Sequence, residues 1–308
     1  MEREYFHVPV LADEILDLLQ PSSNDNFVDG TIGGGGHAEK LLEATGPHGQ
    51  LLGFDLDPRA VRSAQHRLAK FGTRATVIQG SYAELSAAIR RYPQMQPIQG
   101  ILVDLGLSSD QLEVSGRGFS FRDQGAADMR FDPGTGVSAS RLLASASESE
   151  LEQVFKKFGE VRAAARLARA IVAHRSRGEW SVPELVAEVM SLGASRSARI
   201  HPATKVFQAL RIAVNKELDN LISFLPQAVA ACSAGGRIAV ISYHSLEDRI
   251  VKEYFKRESI DCVCPPETPV CRCGHRATVR IVTRRPVVPS SQELSSNWRG
   301  RSAKLRVA

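Results

Sequence analysis

Residues 29–37 read Asp-Gly-Thr-Ile-Gly-Gly-Gly-Gly-His. The four glycines stand between a short extended run (Asn26, Phe27, Val28) and a helical pattern (Ala38, Glu39, Lys40, Leu41, Leu42). Such a turn leaves backbone N–H groups free at a helix N-terminus. Without Cβ atoms it also lets a ligand come close to the chain. Beyond His37, the apolar run Leu51, Leu52, Gly53, Phe54 ends in Asp55. An acid at the end of the second strand of a βαβ unit is placed to accept from both hydroxyls of a ribose. Turn and acid together predict a bound nucleoside. A dinucleotide fingerprint needs Gly-x-Gly-x-x-Gly; here Gly30, Gly33 and Gly36 are evenly spaced, and Asp29 would repel a pyrophosphate. S-Adenosylmethionine has a cationic amino-acid part and no phosphate. A methyl donor is therefore preferred to NAD.

A second acidic tip, Asp104, closes the run Gly100, Ile101, Leu102, Val103 and opens Asp-Leu-Gly-Leu-Ser-Ser-Asp-Gln, ending at Gln111. In open parallel sheets ligands bind beyond the strand carboxyl ends, at the switch point. A carboxylate there can accept a hydrogen bond from an amine and aim its lone pair at a methyl carbon. Positioning supplies much of the rate of such a transfer. The alternative is an Asp that caps a helix. After a third strand, Tyr82 is placed either against an adenine or in the core. The loop 116–130 mixes Phe119 and Phe121 with Arg117, Arg122 and Arg130. The rings could stack a flipped base and the arginines hold phosphate; equally, the rings could anchor the loop. Asn215 and Glu217 have no evident structural role and could face the cleft. His244 follows a fifth strand; Ser245 is the expected cap of the next helix, and the role of His244 stays open. Cys262, Cys264, Cys271 and Cys273 form two close pairs with His275 nearby. They suit either a four-sulfur zinc site, although zinc pairs are usually wider, or reduced free thiols. No metal is assigned.

These residues need a scaffold. With 308 residues, 43% hydrophobic and 24% charged, the chain has the profile of a soluble globular protein of one large or two ordinary domains. No run is long enough to span a bilayer, and residues 1–5 lack signal-peptide features; a cytoplasmic location is expected. Strands are expected to end near Asp29, Asp55, Gln79 and Asp104, with helices between. A helical pattern fills 147–225. Strand character returns at 237–243 after the turn Ala234, Gly235, Gly236, and again at 279–283 and 304–307, with 285–300 as a surface loop. This predicts an α/β fold: a Rossmann-like, mainly parallel sheet interrupted by an inserted helical domain. The expected boundaries are 1–114 and 219–308 for the sheet domain and 115–218 for the insert. Residues 154–216 carry twelve Lys or Arg against four Asp or Glu, and 272–308 nine against one. Two basic blocks on a chain of net charge +5 leave the remainder acidic and suggest a polyanion such as RNA, unless each is a solvated helix face.

The ordered motifs resemble the RsmH (MraW) family, bacterial enzymes that methylate the N4 amine of one decoding-centre cytosine in small-subunit (16S) ribosomal RNA. The similarity lies in the glycine motif ending at His37, in Asp104 to Gln111, in Arg-Gly-Phe-Ser-Phe from Arg117 to Phe121, and in Ala127-Asp-Met-Arg130. It continues through the stretch from His201 to Leu218 and through Ser-Tyr-His-Ser-Leu-Glu-Asp-Arg-Ile-Val-Lys at 242–252, and runs from about His7 to the end of the chain. The resemblance implies a class I S-adenosylmethionine-dependent methyltransferase. It implies donor contacts at Gly35, Gly36, His37, Asp55, Tyr82, Asp104 and Gln111. Tyr82 stands where the family often has Phe. Asp104-Leu-Gly-Leu differs from the Asp/Asn-Pro-Pro-aromatic motif of many DNA amine methyltransferases, so the acceptor role of Asp104 is a chemical inference. The family varies across the cysteine segment, which sets it apart from the reaction. The partner implied is 16S rRNA within the small ribosomal subunit; a homodimer is left open. The competing reading is a non-catalytic RNA-binding assembly factor that keeps a donor pocket.

Overall fold

A computed structural model describes residues 9–113, 115–175, 178–192 and 201–308; His7, where the resemblance begins, lies outside them. The chain divides into two compact units, Met1–Gly106 with Asp219–Ala308, and Leu107–Leu218.

The first unit is built on one sheet with strands β1 (Asn26–Asp29), β2 (Leu51–Asp55), β3 (Ala75–Gln79), β4 (Ile98–Asp104), β5 (Cys232–Ser242) and β6 (Lys304–Val307). Their order is β3-β2-β1-β4-β5-β6, parallel throughout except for antiparallel β6. Alternate side chains leave a strand on opposite faces, and here both faces are apolar. Val28, Leu52, Ile101, Val103 and Val240 share one core with Leu85, Phe224 and Phe255. Phe27, Leu51, Leu102, Ala239 and Ile241 share the other with Ile15, Leu41 and Leu68. That two-sided burial is why the strands read as continuous apolar runs rather than alternating ones. The covering helices are α1 (Ala12–Leu19), α2 (Gly36–Ala44) and α3 (Pro58–Leu68) on one face. On the other lie α4 (Leu85–Arg91), the Asp219–Ala231 part of the helix Glu217–Ala231, and the helix Ser245–Glu258. The α3 helix begins with Pro58 after Asp57, whose side chain accepts from Arg59 N, as a proline-started, acid-capped helix should.

The fully packed centre leaves β4 no room for a side chain at Gly100, where an added Cβ would overlap the ring of Phe27. Phe27 is 1% exposed and cannot swing out. Gly100→Ala is expected to cost about 1–3 kcal/mol through overpacking. The check is the urea midpoint; an unchanged midpoint would show that the ring yields freely.

Three sequence expectations are corrected here. The turn Ala234, Gly235, Gly236 does not precede the strand but forms a bulge inside β5: Cys232 pairs with Ile98, Arg237 with Gly100, and Gly235 has φ +82°. Residues 279–283 are not a strand. Val282 N and Thr283 N both donate to Val307 O, at 3.0 and 3.1 Å, and Thr283 Oγ1 takes Val307 N at 2.8 Å, so a side chain replaces the ladder. Residues 285–300 are not a plain loop: Ser290 caps a short helix, Ser291–Ser296, and Glu293 accepts from the distant Leu11 N at 2.8 Å.

The second unit is helical, with α5 (Ser109–Glu113), α6 (Ala139–Ser145), α7 (Glu148–Gly159), α8 (Ala164–Ala173), α9 (Val182–Ser191) and α10 (Ala203–Asn215); the helix Glu217–Ala231 is α11, Ser245–Glu258 is α12 and Ser291–Ser296 is α13. Capping boxes at Ser147/Glu150 and Ser181/Glu184 start α7 and α9 by satisfying otherwise orphaned N–H groups. Leu151, Phe155, Leu167, Ile171, Leu185, Val206 and Leu210 form the core. The compact unit begins at Leu107, earlier than the boundary read from the sequence, because Leu107 and Leu112 pack on this same core. No helix among the described residues is long and apolar enough to cross a membrane.

Candidate functional site

In the first unit the strand order reverses between β1 and β4, and their tips lie side by side. The chain leaves β1 at Asp29, turns at Gly30, and enters α2 through Gly35, whose φ of +81° is left-handed and thus suited to glycine. Gly30 is needed for another reason. A Cβ there would meet Val103 Cγ2 at 2.9 Å and Tyr82 Cβ at 3.0 Å, so turn, β4 and the Tyr82 segment approach without a gap. Tyr82 meets the ring of Phe224 edge-on at 5.0 Å.

Three carboxylates converge on this turn. Asp29 is 1% exposed and its Oδ1 accepts from Thr31 N at 3.1 Å. Burial pushes its carboxyl up to about 7, helped by the fields of Asp104 and Asp55 and opposed by His37 and the Thr31 bond. Asp55 accepts from Gly33 N at 2.9 Å and from Asp57 N at 2.9 Å, one on each oxygen, so it ties the glycine turn to the end of β2. Burial pushes it up to about 6 against those two bonds. Asp104 is fixed from two sides: its N–H donates to Thr31 Oγ1 at 2.6 Å, and its Oδ1 accepts from the Tyr243 hydroxyl at 2.8 Å. Burial and the adjacent carboxylate hold the Tyr243 phenol well above its ordinary range, so it stays protonated and donates. Asp104 Oδ2 stands 3.7 Å from His37 Nε2, which is buried and makes no hydrogen bond. Tyr243 and Thr31 are the two residues that sequence reasoning missed. Tyr243 lies within a quoted motif, but nothing in its spacing points to Asp104.

His37, at the start of α2, thus joins Asp55, Tyr82 and Asp104 around the turn of Gly35 and Gly36. Buried carboxylates crowded together oppose one another's ionisation, and a ligand bearing positive charge relieves that cost. The orphaned His37 nitrogen and the acidic cradle fit the cationic nucleoside S-adenosylmethionine and would repel a pyrophosphate.

The other expected residues stand differently. His244 is the N-cap of α12, taking over the role expected of Ser245. Its Nδ1 accepts from Glu247 N at 3.4 Å, its Nε2 lies 3.1 Å from Glu247 Oε1, and Glu247 Oε2 accepts from Tyr243 N at 2.9 Å. Gln111 belongs to the second unit, where its Oε1 accepts from Ser108 N at 3.0 Å. Phe119, for which base stacking and loop anchoring were equally open, is 6% exposed and stacked on Phe131 at 5.6 Å within the core of the second unit. Phe121 lies flat against His201 at 4.6 Å. Arg117 braces the same loop, donating to the carbonyls of Arg130 at 3.2 Å and Phe131 at 2.9 Å. Asn215 pins it to α10: Oδ1 accepts from Phe131 N at 2.8 Å, and Nδ2 donates to Met129 O at 2.8 Å. Glu217 is paired with Arg211 through two bonds of 2.8 and 2.9 Å. Asn215 and Glu217 therefore have structural roles that spacing did not reveal.

The model of the MraW methylase family matches residues 4–308. A protein of Thermomicrobium roseum described as ribosomal RNA small subunit methyltransferase H is 47% identical over 303 residues, covering 98% of this chain and 93% of that one. One of the same description from Trichlorobacter lovleyi is 46% identical over 308 residues, covering 99% and 98%. Among solved structures, an rRNA methylase from Streptococcus thermophilus aligns over 96% of this chain and 91% of that chain, at 11% identity and a TM-score of 0.41. With the whole described sheet, its acidic glycine turn and both strand-tip motifs inside the matched span, the chain belongs to the MraW methylase family and is an S-adenosylmethionine-dependent methyltransferase.

Proposed function

We propose that the protein methylates the N4 amine of a cytosine in the 16S rRNA of the small ribosomal subunit. The observation that carries this reading is the Asp104 carboxylate, oriented by Tyr243 and Thr31 at the tip of β4 beside the glycine turn. The substrate class follows the description of the relatives, and the twelve Lys or Arg against four Asp or Glu in 154–216 suit a polyanion.

When bound, S-adenosylmethionine supplies a methyl carbon made electrophilic by its sulfonium. The glycine turn, His37, Asp55 and Tyr82 hold it. Asp104 Oδ2 accepts a hydrogen bond from the exocyclic amine, whose lone pair is otherwise spread into the pyrimidine ring, and turns that pair toward the methyl carbon. The Tyr243 hydroxyl keeps Oδ1 occupied, so Oδ2 is the oxygen presented to the amine. Methylation at a pyrimidine carbon would instead need a cysteine nucleophile. Cys232 pairs with Ile98 at the opposite end of β4, and the other four cysteines lie at 262–273, beyond the end of α12.

The test is purified protein with small subunits or 16S rRNA and isotope-labelled donor, followed by nucleoside mass spectrometry. Label in N4-methylcytidine is expected. Label on a ring carbon or a ribose oxygen overturns the assignment.

Asp29 and Asp55 predict a pH dependence. Their carboxyls are raised from 3.8 to about 7 and about 6, so the folded, ligand-free protein holds these protons more tightly than the unfolded chain. Their contribution to stability is therefore present at low pH and lost as pH rises through that window. A cationic donor prefers the ionised acids. Donor affinity is expected to tighten about tenfold from about pH 5 to about pH 7.5, with proton release seen by calorimetry in buffers of different ionisation heat. A flat profile would mean that the carboxylates do not face the donor.

A further inference from the structure

We infer that Cys262, Cys264, Cys271 and Cys273 form a structural site for a single zinc ion. This inference is independent of the proposed reaction. The pairs Cys-Val-Cys and Cys-Arg-Cys are narrower than most zinc-binding pairs, so the sequence leaves the matter open; the fold brings the four sulfurs together. All four Sγ atoms lie within 4.8 Å of one another. Cys271 Sγ is 3.5 Å from Cys273 Sγ, which is 3.9 Å from Cys262 Sγ. A zinc ion with four sulfurs at about 2.3 Å in a tetrahedron sets neighbouring sulfurs about 3.8 Å apart. Disulfide sulfurs would be about 2.05 Å apart, and an iron–sulfur cluster would spread its ligands wider. The cage has the size of one ion.

The backbone favours the charged form of the sulfurs. Val263 N donates to Cys273 Sγ at 3.4 Å, and Arg272 N donates to Cys264 Sγ at 3.4 Å. Each pair thus supplies an amide to a sulfur of the other, as a thiolate cage requires. The segment also buries no large apolar side chain of its own. Ile260, Val263 and Val270 are 43%, 40% and 69% exposed, so no apolar core forms beneath it. Its base is tied to the end of α12: Thr278 N and Val279 N donate to Glu258 O, and Ala277 N to Asp261 Oδ1. Farther out, the two cysteine pairs meet through sulfur. Small coreless segments of this kind are typically held by a metal or a disulfide. Zinc binding displaces the thiol protons and leaves the sulfurs as thiolates. The site stands beyond the C-terminus of α12, a helix of 14 residues whose first turn adjoins Tyr243. At about 1.5 Å per residue that helix is about 21 Å long, so the ion shapes the surface rather than taking part in methyl transfer.

The test uses the full-length, tag-free protein. Expected are about one zinc per chain by elemental analysis, an intense thiolate-to-cobalt charge-transfer band with tetrahedral visible bands on cobalt titration, and loss of both on zinc addition. The pair Cys262→Ser and Cys271→Ser should abolish the cobalt band while leaving donor binding by calorimetry intact. Should that variant fail to fold, the wild-type cobalt spectrum still decides. Four thiols that react with a thiol reagent equally fast with and without zinc, and no charge-transfer band, would overturn the site.

Discussion

Replacing Asp104 with alanine is expected to lower methyl transfer by about 10³-fold at saturating donor, the loss expected when a preorganised group that aligns the reacting amine is removed. The magnitude follows from how the group is held. Its backbone N–H is bound to Thr31 and its Oδ1 to Tyr243, so the carboxylate faces the reacting amine without an ordering cost at each turnover. The Tyr243→Phe variant removes only the positioning bond. It is expected to lower kcat about tenfold, since one hydrogen bond to a charged group is worth about 1.5–3 kcal/mol, and to leave donor affinity within about threefold of wild type. Single-turnover assays with preformed donor complex separate the two effects. Retention of wild-type turnover by Asp104→Ala would sink the amine-orienting role. The same variant tests the competing view of a non-catalytic assembly factor: such a factor should support normal subunit maturation with methyl transfer abolished.

The second large effect is expected at Asp55. Asp55→Ala should weaken S-adenosylmethionine binding about 100-fold by calorimetry. Two contributions add. The ribose hydroxyls lose a charged acceptor, and the amides of Gly33 and Asp57 lose the oxygens that hold the glycine turn against β2. Each charge-assisted bond is worth about 1.5–3 kcal/mol. Asp55→Asn keeps the size of the side chain but presents an NH₂ group to a backbone donor, and should fall between the two. Unchanged donor affinity in Asp55→Ala would contradict the ribose assignment.

The glycine turn, the strand-tip acids and the parallel sheet are visible from residue order because their causes are local. A chain leaving β1 at Asp29 through Gly30 and entering α2 at Gly35 needs those residue types whatever surrounds them. Strands buried on both faces must read as apolar runs, as β1, β2 and β4 do. The acidic turn itself pointed to a methyl donor, and the family resemblance added the expectation of a ribosomal RNA substrate. The contacts that hold the site are of another kind. Tyr243 reaches Asp104 across 139 positions, and Leu11 meets Glu293 across 282. No periodicity encodes such pairs. They exist because β4 and β5 are adjacent in the sheet and α13 folds back over α1.

The same distinction separates Phe119, Arg117 and Asn215 from the roles their types suggested. A Gly-rich loop with Arg and Phe suits RNA binding and self-anchoring equally. Phe119 enters the core against Phe131, while Arg117 and Asn215 take up backbone carbonyls and an amide of the segment 129–131. A buried backbone group must find a partner, and which side chain supplies it is settled by packing. The four cysteine sulfurs show the same logic at the other end of α12: two unremarkable pairs in the residue order become a cage when a turn of the chain brings them face to face. Residue order thus specified the turn, the alternating elements and the chemistry they can support, because these depend on neighbours along the chain. Which acid is braced, which ring is sheltered and which sulfurs meet depended on atoms distant in sequence, and the packing of the folded chain assigned them.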